Sequence, residues 1–286
     1  MSIDLKKLIQ AGVPFGHPTS SWAPKMAPYI WGHKNKVYLI DVSKTAHQME
    51  KAAAFLKSIV MDGKSILWVG TKKPAREIIQ QTAESLNAPF VAHRWIGGTL
   101  SNFTQVKKSV TKLLHFEDIL SKTDHEHYTK KEISTLQKKQ CRLKANIGGI
   151  LNLKWPLGAL VIVDARKEQA ALKEAAGLGI PVVALVDTNT DPSLVSYVIP
   201  ANDDAPKSIK IIIDYLAEAV KEAKDKAIAQ GKKALEVAEI VEKTEDVVVM
   251  LETTEDDQSD EGLKAAKVKR FKEPIKLKTD IGGKKN

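Results

Sequence analysis

Apolar residues recur along this chain with two different periods, and the periods divide it into regions. Short continuous apolar runs bounded by turn residues read as buried strands. They are Val37-Tyr38-Leu39-Ile40, Ile66-Leu67-Trp68-Val69, Phe90-Val91, Leu160-Val161-Ile162-Val163 and Val182-Val183-Ala184-Leu185-Val186. Stretches of helical spacing lie between them. One follows Asp41-Val42-Ser43 to about Met61 and stops at Asp62-Gly63; others run from Ala75 to Leu86 and from Glu168 to Leu178. Pro206 to about Ala229 reads as a long final helix, with Pro in the first turn, where its missing N–H costs nothing. Ile3, Leu5, Leu8 and Ile9 have helical spacing as well. Strands apolar throughout, alternating with helices, predict an α/β fold with a parallel sheet covered on both faces.

Two segments break this rhythm. From Gly12 to about Lys36 the chain is rich in Gly, Pro, His and aromatics, including Phe15, Trp22, Tyr29 and Trp31, and reads as a long irregular loop of the kind that carries function. From Phe103 to Ile147 the period is helical. Val106, Val110, Leu113, Phe116 and Leu120 form one narrow stripe, and Ile133, Leu136, Gln140, Leu143 and Ile147 form another. The polar tip Ser121-Lys122-Thr123-Asp124-His125-Glu126-His127 separates them. Two antiparallel, coiled-coil-like helices inserted into the α/β domain are expected, the alternative being two ordinary core helices. The expected domains are therefore 1–102 with 148–230, the hairpin 103–147, and a tail over 231–286. That tail is acidic from Glu236 through Glu261, interrupted by Val247-Val248-Val249-Met250-Leu251, and basic from Leu263 onward. Segregated charge of this kind predicts a disordered or partner-ordered tail.

Charge narrows the class of partner. Among 286 residues, 44 Lys and Arg stand against 35 Asp and Glu, a formal charge of +9 and a pI near 9.3. Such a balance favours a polyanion. The single cysteine, Cys141, excludes a disulfide framework within one chain and fits a reducing compartment. The opening residues Met1 to Leu8 lack the apolar core of a signal peptide, and no window approaches a spanning helix, so cytoplasm is expected and a membrane is not.

An enzyme is the first alternative for a parallel α/β domain, which binds ligands beyond the carboxyl ends of its strands. Gly70-Thr71-Lys72-Lys73 offers backbone N–H groups and charge to a phosphate. Yet the chain has no P-loop sequence, no strand followed by G-x-G-x-x-G, and no G-x-S-x-G elbow. His17, Asp187, Asp203 and Asp204 form a candidate divalent-cation set at the strand ends; the competing reading makes Asp203 or Asp204 the cap of the final helix. A structural cation is thus conceivable, and no cofactor is required. The stretch from His93 to Phe103 holds Arg94, Trp95, Gly97-Gly98 and Asn102, the mixture of charge, stacking plane and close backbone that folded RNA needs. Its competing reading is a turn that buries Trp95 and seats the hairpin. Phosphate contacts are expected from Lys25, Lys72, Lys73, Arg94, Lys107, Lys108, Lys112, Lys138, Lys139, Arg142 and Lys144, with Trp95 and Asn102 beside them. A protein-interaction scaffold is a third reading, for which the acidic tail speaks.

Three segments resemble the bacterial small-subunit ribosomal protein two (S-two) family. They are Ala11-Gly12-Val13-Pro14-Phe15-Gly16-His17 with Trp22 to Ile30; Arg94-Trp95-Ile96-Gly97-Gly98-Thr99-Leu100-Ser101-Asn102-Phe103; and Gly179 to Asn189 with Ile199-Pro200-Ala201-Asn202-Asp203-Asp204-Ala205. The resemblance covers about residues 3–228. Pro14 departs from it, where the family usually has His, and so does Thr190, often Cys. The resemblance implies a flavodoxin-like parallel sheet flanked by helices, with a helical hairpin insertion. It implies binding to small-subunit ribosomal RNA between head and body, and no catalysis. It also implies neighbouring small-subunit proteins, recruitment of the OB-fold ribosomal protein S-one, and no homo-oligomer.

Overall fold

The chain opens with a short helix, α1 (Leu5–Gln10), capped by the Asp4 carboxylate, which accepts from Lys6 N at 2.9 Å. Strands β1 (Phe15–Pro18), β2 (Ile30–Lys34) and β3 (Val37–Ile40) then form a small antiparallel sheet in the order β1-β3-β2. This corrects the sequence reading twice: residues 12–36 hold two strands, and Val37–Ile40 pairs antiparallel here rather than joining the parallel sheet. The β2–β3 turn places Asn35 at φ 51° and Lys36 at φ 61°. Two successive left-handed residues make the tight turn whose twist suits antiparallel strands.

The computed structural model describes residues 3–121 and 128–229, all within one unit. The expected charged tail and the tip residues His125-Glu126-His127 lie outside the described residues. After β3 come α2 (Val42–Met61), β4 (Ser65–Val69), α3 (Lys73–Ser85) and β5 (Phe90–Val91). The hairpin helices α4 (Phe103–Ser121) and α5 (Lys130–Ile147) follow. The chain then continues through β6 (Leu157–Val163), α6 (Gln169–Gly177), β7 (Val182–Val186), β8 (Tyr197–Pro200) and α7, residues 206–229. The five later strands are all parallel, in the order β5-β4-β6-β7-β8. Numbered among themselves they run 2-1-3-4-5, the flavodoxin-like order. β8 is an edge strand that the apolar runs do not announce; Pro200 ends it, where a lost ladder N–H does little harm.

Side-chain alternation builds a core on each face of the sheet. Ile66, Trp68, Val161 and Leu185 pack with α2, α3 and α7, whereas Leu67, Val69, Ile162 and Val186 pack with α6 and the hairpin root. The hairpin stands where a single crossover helix would join β5 to β6. Its covered positions are those of the predicted stripes. Val106, Leu113 and Ile147 are buried, and Val110, Phe116, Leu120, Ile133, Leu136, Gln140 and Leu143 are half-buried. A capping box starts α5: Thr129 Oγ1 accepts from Glu132 N, and Glu132 Oε2 accepts from Thr129 N at 2.9 Å.

Candidate nucleic-acid interface and the acidic strand ends

In the 2-1-3-4-5 order the strand order reverses between β4 and β6, and a ligand crevice is expected at their carboxyl ends. That crevice is filled by the protein's own side chains. Thr71, just after β4, is buried against Glu168, to whose carboxylate its hydroxyl donates. The Thr71 carbonyl accepts from Arg76 Nε at 2.9 Å and from Lys167 Nζ at 3.1 Å. A Cβ on Gly70 would stand 2.6 Å from Ile79 Cγ1, so the backbone is pressed onto α3. Burial pushes the Glu168 carboxyl above its ordinary range, against the pull of Thr71 and Lys167.

Lys72 shows the same inward use of charge. Its ammonium lies 2.7 Å from Asp203 Oδ1, 2.7 Å from Asp204 Oδ1 and 3.5 Å from Asp164 Oδ2. Desolvation opposes that charge, but hydrogen bonds to Asp203 and Asp204 outweigh it and hold the lysine protonated. For Lys72, expected at an RNA phosphate, three carboxylates already surround the ammonium, and its side chain is 18% exposed. The cap reading of Asp203 and Asp204 is corrected. Asn202 Oδ1 takes the backbone N–H groups of Asp204 at 2.9 Å and Ala205 at 3.2 Å, while both aspartates turn to Lys72.

β1 brings His17 to this cluster. Gly16 lets it approach, since a Cβ there would lie 2.6 Å from Thr188 Cγ2. His17 N then donates to Thr188 Oγ1 at 2.8 Å. The imidazole sits between two carboxylates, Nδ1 at 3.0 Å from Asp187 Oδ2 and Nε2 at 3.5 Å from Asp204 Oδ2. The Asp187 contact raises its pKa above 6.5, with burial opposing. Burial also raises Asp203, with Asp164 and Asp187 adding to it and Lys72 opposing. Ligand atoms of His17, Asp187 and Asp203 all lie within 4.8 Å of one another, close enough for one metal ion. An imidazole with two carboxylates suits a first-row divalent ion.

The Arg94–Asn102 segment is organised by a residue that its own sequence does not reveal. Glu174, on α6, accepts from Trp95 Nε1 at 3.0 Å, Gly98 N at 2.8 Å, Leu100 N at 3.0 Å and Ser101 N at 3.2 Å. Burial raises its pKa, and these donors together bring it below the ordinary value. Trp95, expected to stack on RNA bases, is only 8% exposed: its ring packs in the core and its N–H fastens the hairpin root. Gly98 adopts φ +89°, a conformation that brings its N–H to Glu174 and that few other residues accept. A glutamate facing a Gly-Gly turn is the signal that could have located this contact, but the two lie some seventy residues apart in sequence.

The remaining predicted contacts reach solvent. Lys73, Arg94, Asn102, Lys107, Lys108, Lys112, Lys138, Lys139, Arg142 and Lys144 are exposed. Lys144 lies 3.5 Å from Glu117, and Lys107 sits over the Phe103 ring, 5.2 Å from its centroid. Lys25 is exposed but bonded to Asp191 at 2.8 Å and Ser193 at 2.7 Å, the lysine holding Asp191 down to about 2. Within 103–147 the sequence carries ten basic side chains against five acidic ones. The hairpin and the adjoining loop thus carry most of the predicted contacts; Lys25, Lys72 and Lys73 lie elsewhere, and Trp95 is buried within the loop.

No described helix is long and apolar enough to cross a membrane. A family model, Ribosomal protein S2, matches residues 8–223, from α1 to near the end of α7. Members of that family are structural, non-catalytic proteins, which agrees with strand ends filled from within. The match carries a translation-related, RNA-binding role. Over most of its length, and with the parallel sheet and helical hairpin described above, the chain belongs to the Ribosomal protein S2 family.

Proposed function

We propose that this chain is a structural part of the small ribosomal subunit that grips small-subunit ribosomal RNA between head and body, chiefly through the basic faces of α4 and α5. The observation that carries this reading is the exposure of Lys107, Lys108, Lys112, Lys138, Lys139 and Arg142 on two helices whose buried residues are Val106, Leu113 and Ile147. Side chains so placed can meet phosphates without unfolding anything, and they give affinity without sequence preference. Lys73, Arg94 and Asn102 extend the footprint to the hairpin root. Cross-linking within purified small subunits, mapped on RNA and protein, tests it. Links from α4 and α5 to ribosomal RNA are expected; RNA links confined to other parts of the chain would contradict the reading.

Recruitment of S-one fits the N-terminal sheet better than the hairpin. Trp31 is 75% exposed, Phe15 53% and Ile9 54%, and all three line a cavity of about 670 Å³ with Pro14, Leu39 and Val42. Exposed aromatics around a cavity mark a protein contact. Trp31→Ala should weaken S-one retention on small subunits while leaving RNA binding intact; equal retention argues against this face.

A divalent cation at His17, Asp187 and Asp203 would tie β1 to the ends of β7 and β8. Lys72 already supplies one positive charge there, so the ion would share Asp203 with it. Metal analysis after extensive dialysis, with melting followed in chelator, tests this. Bound metal and a lower melting temperature in chelator are expected; metal-free protein with unchanged melting contradicts it.

A further inference from the structure

Trp155 is the aromatic residue that the proposed RNA grip leaves out. It lies just before β6 and is 43% exposed, whereas Trp68 is fully buried and Trp95 is 8% exposed. Its ring meets Phe103, the first residue of α4, edge to face, with centroids 5.7 Å apart and planes at 63°. Phe103 is itself only half-buried, and Lys107 lies over its ring at 5.2 Å. Lys154, next to Trp155, is exposed. Two aromatic rings at an angle, with Lys107 over one of them, therefore stand at the root of the basic hairpin.

We infer that Trp155 and Phe103 form a stacking platform for one unpaired RNA base, with Lys107 placed to meet a flanking phosphate. A ring that served only to plug the hairpin root would be covered, as Trp95 is. Trp31 is more exposed than Trp155 but lines an apolar cavity in which Lys34 is the only cation; a protein fits it better. At Trp155, Lys107 and the neighbouring basic helices favour a polyanion whose bases have free π-faces. Single-stranded RNA is recognised by stacking on aromatic side chains in this manner. The inference deepens the RNA reading and rests on it.

Stacking and phosphate contact leave different signatures, and these make the test. Affinity of the full chain for small-subunit ribosomal RNA is measured across a salt series for the wild type, Trp155→Ala, Trp155→Phe and Lys107→Ala. Trp155→Ala should weaken binding about tenfold at every salt concentration, the size of one stacked base, with the salt slope unchanged. Trp155→Phe should recover most of that loss. Lys107→Ala should lower the slope by about 0.7 to 0.9. Short-wavelength cross-linking should join a base to Trp155. Unchanged affinity in Trp155→Ala overturns the platform. So does a loss accompanied by loosened hairpin amides in hydrogen exchange, which would make Trp155 a packing residue. Wild-type binding that ignores salt would instead sink the RNA reading itself.

Discussion

The strand ends and the hairpin both collect charge, but they use it in opposite directions. At the strand ends Lys72, Lys167 and Arg76 are taken up by Asp203, Asp204, Asp164 and the Thr71 carbonyl. On the hairpin, lysines stand on exposed helix faces. The first arrangement closes the crevice in which this fold order places ligands; the second leaves cations ready for a polyanion. A fold that hosts many enzymes is thereby turned into a scaffold, because the site is filled rather than merely lacking catalytic residues.

The contrast can be broken most sharply at Lys72. Lys72→Met should cost about 3 kcal/mol of stability, because removing one partner leaves buried carboxylates without compensation. It should leave RNA affinity within about twofold, since a cation held by three carboxylates contributes little to phosphate binding. Urea unfolding and filter binding measure the two. Lys72→Met that folds normally but loses RNA would erase the distinction between the regions.

Glu174 holds the hairpin root, and its expected effect is smaller. Glu174→Gln keeps the shape but replaces a carboxylate facing four N–H donors with an amide that itself donates. A loss of about 2 kcal/mol is expected, with faster hydrogen exchange at Gly98, Leu100 and Ser101. Because the folded-state pKa of Glu174 is lowered, its contribution is present above the ordinary value of 4.5 and is lost as pH falls through the folded value. The stability gap between wild type and Glu174→Gln should therefore shrink in acid. A gap that grows in acid would reverse the assignment.

His17 gives the smallest effect, with the opposite sign. Its folded pKa lies above 6.5, so its contact with Asp187 stabilises fully below that value and fades as pH rises through the folded value. In chelator, with the cation site empty, melting curves of wild type and His17→Gln should differ at pH 6 and converge by about pH 9. Curves that diverge as pH rises under those conditions would reverse the assigned sign.

Much of this was legible in the sequence, for identifiable reasons. The hairpin stripe was readable because Val106 to Ile147 repeats at three- and four-residue steps, and a narrow stripe leaves little ambiguity about which positions are covered. β6 and β7 were readable because strands buried on both faces are continuously apolar. β1 and β2 were not: Gly16, Pro18 and Gly32 dilute their short runs, and Asn35-Lys36 lacks the glycine that usually marks such a turn. The intramolecular partners of Lys72 and Trp95 were not legible, because residue type reports what a side chain can bind, not whether something in the chain has already bound it. Asp203 and Asp204 lie 131 and 132 residues from Lys72, and Glu174 lies 79 from Trp95. Only the parallel sheet brings such distant positions together.

The central claim is that the hairpin, not the strand ends, carries the RNA-facing charge. The measurement that tests it most directly is the slope of log affinity for small-subunit ribosomal RNA against log salt. The comparison is between the wild type and a chain with Lys107, Lys112, Lys138 and Arg142 all changed to Ala. Each lost phosphate contact should flatten the slope by about 0.9, and affinity at physiological salt should fall at least tenfold. An unchanged slope with unchanged affinity in the quadruple variant would contradict the account.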